Sequence, residues 1–159
     1  GIGQAATARV GLAVGSGDLA AARRAGWVAI AIGAGFMAGM AVLLMAAAPQ
    51  IAGLFLDPTV AQAGQAVALA ATLLIVAGLF QLGDGIQVVA AGALRGRKDT
   101  QVPMLLAALG YWGIGLPVGL ALAHTAGKGP IGIWVGLGVG TGLVALLMLG
   151  RWRRISGRD

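Results

Sequence analysis

Residues 66–94 read AVALAATLLIVAGLFQLGDGIQVVAAGAL, small or apolar at nearly every position, with two amides, one hydroxyl and a single charge at Asp84. A membrane-spanning helix needs about 20 apolar residues to cross roughly 30 Å of hydrocarbon. This stretch is long enough. Three others match it. No charge occurs from Ala25 to Leu56, from Thr100 to Ala123, or from Gly129 to Gly150. The reading is an all-α, polytopic membrane helix bundle with four full spans, at about 27–54, 66–94, 102–123 and 131–150.

Composition agrees. Of 159 residues, 58% are hydrophobic and 10% are charged, against about half and about a quarter in soluble domains. Mean hydropathy is +0.91. Disorder is excluded too, because it requires low hydrophobicity and high charge. The absence of cysteine excludes a disulfide scaffold, a thiol nucleophile and a cysteine-ligated zinc site. One histidine cannot build a histidine-rich metal centre. The net charge of +6 does not point to nucleic acid, since the bases sit in short clusters between apolar runs rather than over one soluble face.

Gly1 opens the chain without a methionine or a charged run, so no signal peptide is expected. Residues 1–14 read like the end of a helix already under way, and the chain is expected to be a fragment. Gly15-Ser16-Gly17-Asp18 is a turn signal, followed by a short basic segment ending at Arg23-Arg24. A turn at Asp57-Pro58 closes the first span. Arg95-Gly96-Arg97-Lys98-Asp99 is a polar loop. His124 to Pro130 is a glycine-rich turn. Arg151-Trp152-Arg153-Arg154 stops the fourth span and begins a tail, 151–159.

With four crossings, Arg9, Arg23, Arg24, Arg95, Arg97, Lys98, Arg151, Arg153, Arg154 and Arg158 share one side. Lys128 alone is on the other. The positive-inside rule makes the first side cytoplasmic and puts the C-terminus there. Gly35/Gly39, Gly115/Gly119 and Gly132/Gly136/Gly140 have the four-residue spacing that lets membrane helices approach closely. Pro117, inside the third span, removes a backbone donor and predicts a kink.

Asp84 is the one charge inside any of the four spans. A carboxylate at mid-bilayer costs about 2.5–3.5 kcal/mol on insertion scales. Arg95 lies roughly 16 Å farther along the helix at about 1.5 Å per residue. If Arg95 marks the membrane edge, Asp84 is near the middle. Phe80, Gln81, Gln87 and Val88 are its i±3 and i±4 neighbours. Gln81, Asp84 and Gln87 therefore form a polar stripe, expected to face the interior or a wet cavity. An acid there either takes up a proton or holds a cation, and either couples ion movement to conformation. The plain alternative is an acid pinned by interhelical hydrogen bonds.

Tyr111 and Trp112 lie deeper than a usual aromatic belt. They are candidates, with Phe80, for a cavity that stacks on aromatic or cationic substrates. Trp27 and Trp152 read as interfacial anchors, and His124 as a solvated loop residue. Gly127-Lys128-Gly129 lacks the rest of a phosphate loop. No nucleophile triad, metal cluster or paired carboxylate suggests an enzyme.

Four segments, in order, resemble one family. They are Ala8-Arg9-Val10-Gly11 with Gly15-Ser16-Gly17-Asp18; Gln81-x-x-Asp84-Gly85-x-Gln87 with Gly92-Ala93-Leu94-Arg95-Gly96-x-x-Asp99-Thr100 and Pro103; Tyr111-Trp112-x-x-Gly115-x-Pro117-x-Gly119; and Gly132-Ile133-Trp134-x-Gly136. Together they look like the C-terminal lobe of a MATE (multidrug and toxic compound extrusion) transporter. The resemblance implies a twelve-helix, two-lobe antiporter of a bacterial inner membrane, with this chain supplying the end of the eighth helix and helices nine to twelve. It implies that Asp84 belongs to a membrane-embedded cation site and that Na+ or H+ entry drives export of organic, often cationic, drugs by alternating access. No cofactor is implied. The partners would be small organic molecules, membrane lipid and the missing N-terminal lobe, without which the chain is expected to be inactive. Two other readings stay open. A lipid-linked precursor flippase would want a basic cavity, and the four spans hold no Lys or Arg. A non-transporting membrane scaffold would need no buried acid.

Overall fold

The computed structural model describes residues 1–55, 63–127 and 129–157. Every regular element among them is helical: α1 (Ile2–Gly15), α2 (Leu19–Ala46), α3 (Ala48–Phe55), α4 (Ala63–Gly96), α5 (Gln101–Ala108), a π-helical stretch (Leu109–Gly115), α6 (Leu116–His124) and α7 (Gly129–Ser156). Four helical runs are long and apolar enough to cross a membrane: Leu19–Ala46, Gly64–Gly96, Gln101–His124 and Gly129–Ser156. The expected turn at Asp57-Pro58 and the expected outer charge, Lys128, lie outside the described residues, as do Arg158 and Asp159.

Local chemistry sets the helix ends. Gly17 turns the chain at φ 79°. Asp18 then caps α2, its Oδ1 accepting from the Ala21 N–H at 2.8 Å. That cap starts the helix at Leu19, so Arg23 and Arg24 lie within it rather than before it. The first apolar run is one span in sequence but two helices in space, because Pro49 interrupts it. Its ring nitrogen has no proton for the Met45 carbonyl and its ring crowds that carbonyl. The chain breaks at Ala47 and restarts as α3. α7 continues six residues past Gly150, carrying Arg151, Arg153 and Arg154 on its last turns, where cations complement the helix C-terminus.

α4 is the central post and packs against α1, α2, α3 and α7. Close backbone approach sets α1 against it. A Cβ on Gly92 would stand 2.3 Å from the Gly3 carbonyl oxygen. The Thr7 hydroxyl crosses the same seam and donates to the Gly92 carbonyl at 2.9 Å. α7 buries a stripe at every fourth residue: Gly132, Gly136, Gly140, Val144, Met148, Trp152 and Ser156. Its glycine half meets α6 and the π-helical stretch backbone to backbone. Its large half fills the core with Leu94, Ala22, Ile30 and Val10.

Trp152 is therefore not an interfacial anchor. It is fully buried, and a Cβ on Gly26 would lie 2.0 Å from its ring. The indole fills the hole that the glycine leaves. Trp27 points outward, at 36% exposed. Among the glycine pairs, Gly35 and Gly39 meet nothing within 4 Å, whereas Gly115, Gly119, Gly132, Gly136 and Gly140 all lie in close contacts.

Three contacts gather the basic segments. Arg151 Nε pairs with Asp99 Oδ2 at 2.9 Å. Trp152 lies on Gly26, and Gly96 lies against Thr7 and Val10. The end of α1, the start of α2, the end of α4 and the end of α7 thus meet at one end of the bundle. Arg9, Arg23, Arg24, Arg95, Arg97, Lys98, Arg151, Arg153 and Arg154 all belong to these segments.

Candidate functional site

Asp84 sits on α4 about 18 Å from the Gly96 end, at about 1.5 Å per residue. It is half-buried. It lines a groove of about 420 Å³ whose walls include Gly3 from α1, Gly33, Phe36 and Met37 from α2, and Val88 from α4. Asp84 apart, the lining side chains are apolar, and Gly1 brings the α-amino group to the rim. Gly85 brings Met37 close, since a Cβ there would meet Met37 Cγ at 2.3 Å. Among the described residues the Asp84 carboxylate has no hydrogen-bond or ion-pair partner. Arg151, a base on a neighbouring helix, is committed to Asp99.

The two amides do not join it. Residues three apart on a helix diverge by about 60° around the axis, and here that angle separates two grooves. Gln87 is buried, and its Oε1 accepts from the Tyr111 hydroxyl at 2.9 Å. It lines a second groove, of about 300 Å³, that runs beside Val88 and Ala91 to Arg95 and Asp99. Gln81 is half-buried, has no hydrogen bond among the described residues, and does not line the Asp84 groove.

The aromatic candidates also part. Tyr111 is tied to Gln87. Phe80 packs edge-on against Trp134 of α7, with centroids 6.3 Å apart and planes at 90°. Trp112 points away, at 74% exposed. Tyr111 and Trp112 both lie in the π-helical stretch. Pro117 cannot donate, and its ring crowds the Gly113 carbonyl. The chain widens one turn earlier, with the Leu116 N–H reaching back five residues to the Tyr111 carbonyl. Before Pro117 the helix thus carries a π-helical turn, and Tyr111 and Trp112, as neighbours on a helix, face different ways. Removing the Tyr111 hydroxyl leaves the buried Gln87 oxygen unpaired, which costs about 1–3 kcal/mol. Tyr111→Phe is accordingly expected to lower the unfolding midpoint in detergent, and an unchanged midpoint would mean that water replaces the hydroxyl.

Sequence reasoning missed the wall that faces the acid, from Gly33 to Met37 and Gly3. Only knowledge of which helices are neighbours supplies it. It also missed Thr141, whose hydroxyl is buried without a hydrogen-bond partner among the described residues. A signal existed there, since Thr141 is the one hydroxyl in the apolar run 129–150.

The bundle is that of an integral membrane protein, built on one long helix whose half-buried acid lines a groove. Comparison with known proteins is specific. The MatE family profile matches residues 1–121, and the chain belongs to that family. The probable multidrug resistance protein NorM of Brucella suis biovar 1 is 53% identical over 154 residues, covering 97% of this chain and 33% of that protein. The multidrug resistance protein NorM of Burkholderia vietnamiensis is 49% identical over 152 residues, covering 96% and 32%. The crystal structure of the eukaryotic MATE transporter AtDTX14 superposes with a TM-score of 0.85 at 21% identity, over 99% of this chain and 35% of that one. That likeness is one of fold. The chain spans about a third of the length of the relatives it matches.

Proposed function

We propose that residues 1–159 form the C-terminal lobe of a multidrug exporter driven by a cation, with a second lobe supplied by the rest of the protein. The terminal segment 151–159 then faces the cytoplasm of a bacterial cell, and the membrane is the inner one. The protein is a transporter rather than an enzyme. One observation carries the reading: a carboxylate inside a membrane helix, about 18 Å from its Gly96 end, in a largely apolar groove and without a partner of its own among the described residues. Such a group is expensive to keep unless a cation visits it. Na+ or H+ occupies Asp84 in one conformation and leaves in the other. Gln81 and Gln87 flank it along α4 and enter its coordination only if α4 bends and Gln87 leaves Tyr111. Organic cations are the natural cargo, because substrate and coupling ion then compete for the same negative charge. The family membership and the names of the relatives support this reading. The flippase reading is disfavoured, since this groove is acidic and pyrophosphate needs bases.

The test is efflux of a fluorescent organic cation from vesicles holding the complete protein. Sodium and proton gradients are imposed separately. Efflux is expected under one of them. No efflux under either gradient would overturn the assignment.

A further inference from the structure

We propose that the basic end of the bundle carries a built site for the phosphate headgroup of an anionic membrane lipid, in the groove between the α1–α2 turn and the end of α7. The groove is about 460 Å³ and is lined by Gly17, Leu19, Ala20, Arg23, Arg24 and Ser156. That volume is within the range of about 300–1,000 Å³ typical of small-ligand sites. Its α2 wall is two i, i+4 pairs, Leu19/Arg23 and Ala20/Arg24, so each arginine shares a helix face with an apolar residue one turn below. Arg23 and Arg24 are exposed and have no ion-pair partner among the described residues. The nearby acid, Asp18, is occupied in capping α2.

Placement favours a lipid over a soluble anion. At about 1.5 Å per residue, α2 is about 42 Å long. A bilayer with its headgroups measures about 40–45 Å. The first turns of α2 therefore stand in the headgroup layer. Trp27, partly exposed one turn farther in, lies where an indole meets the acyl boundary. Two guanidiniums match phosphate oxygens in charge and fork geometry, and Leu19 offers the glycerol backbone an apolar floor. The remaining bases at this end raise the local anion concentration. The inference does not depend on the transport reading, because it concerns a different end of the helices.

Native mass spectrometry of the complete protein, titrated with phosphatidylglycerol or phosphatidylcholine, tests it. Phosphatidylglycerol should bind more tightly. R23Q/R24Q should weaken it about tenfold or more, given the strength of each base near a lipid surface. R153Q/R154Q removes the same charge outside the groove and should weaken it far less. If R23Q/R24Q does not purify as a folded species, Ala20→Trp fills the groove with every charge kept, and should reduce phosphatidylglycerol binding alone. Equal losses in the two charge variants, or equal affinity for the two lipids, would reduce the site to a diffuse positive field. Full displacement of the lipid by millimolar inorganic phosphate would make it a soluble-anion site and overturn the lipid assignment.

Discussion

On the proposed reading, Asp84→Asn in the complete protein should abolish gradient-driven drug efflux while the protein still reaches the membrane. The amide keeps the size of the carboxylate and removes its charge. A hydrogen bond to a charged group is worth about 1.5–3 kcal/mol, and each 1.4 kcal/mol is about tenfold. Cation affinity should fall about tenfold to a hundredfold, and the dependence of efflux on the driving ion should vanish with it. The structure adds a second expectation of opposite sign. Asp84 lacks a hydrogen-bond or ion-pair partner among the described residues, so neutralising it breaks nothing and removes a desolvated charge. The unfolding midpoint should stay level or rise. An acid that served only to pin helices together would show the reverse, a lower midpoint with efflux retained. Asp99→Asn is the matched control, because it removes a carboxylate held by Arg151 at 2.9 Å and should leave ion dependence intact. Drug resistance equal to wild type in Asp84→Asn cells, at equal expression, would end the cation-site assignment.

What the sequence made legible follows the range of the forces involved. Partition into lipid acts on whole stretches of chain, so the apolar runs around Asp84 and beyond Thr100 were readable without knowing their neighbours. The alternation of arginine clusters was equally readable, and the contacts of Trp152 with Gly26 and of Arg151 with Asp99 place those clusters at one end. Pairwise contact was not readable. Gly35/Gly39 and Gly132/Gly136 have the same spacing, yet the first pair faces open space and the second faces backbone. The difference lies in which helix stands opposite. Trp152 looks like an anchor beside three arginines, yet a glycine on another helix makes room for it. The polar stripe is spread over more than one groove for a geometric reason. Gln81, Asp84 and Gln87 together span about 120° of the helix, wider than one groove between two neighbours.

The largest structural effect should come from Gly136. A Cβ built there stands 2.2 Å from both the amide nitrogen and the Cα of Gly119, and 2.6 Å from the Gly115 carbonyl oxygen. All three are backbone atoms, so no rotamer change can relieve the overlap. α6 must move off α7 as a unit. Motion of α6 also disturbs the next contact along, where Gly140 faces the Gly110 carbonyl and Gly115, at the π-helical turn that orients Tyr111 toward Gln87. Overpacking typically costs about 1–3 kcal/mol, and Gly136→Ala should reach the upper end, with Gly136→Val beyond it. Gly142 lies on the same helix and meets nothing within 4 Å. Alanine there adds no clash and gains about 0.8–1 kcal/mol of helix propensity. In detergent, Gly136→Ala should unfold at a clearly lower temperature and Gly142→Ala at the same or a higher one. Indistinguishable midpoints would show that the α6–α7 seam is looser than its glycines suggest. The functional signature separates this lesion from the loss of Asp84. Gly136→Ala should reduce the amount of protein, and on the proposed reading whatever reaches the membrane should still respond to the ion gradient. Asp84→Asn should leave the amount unchanged and remove the response.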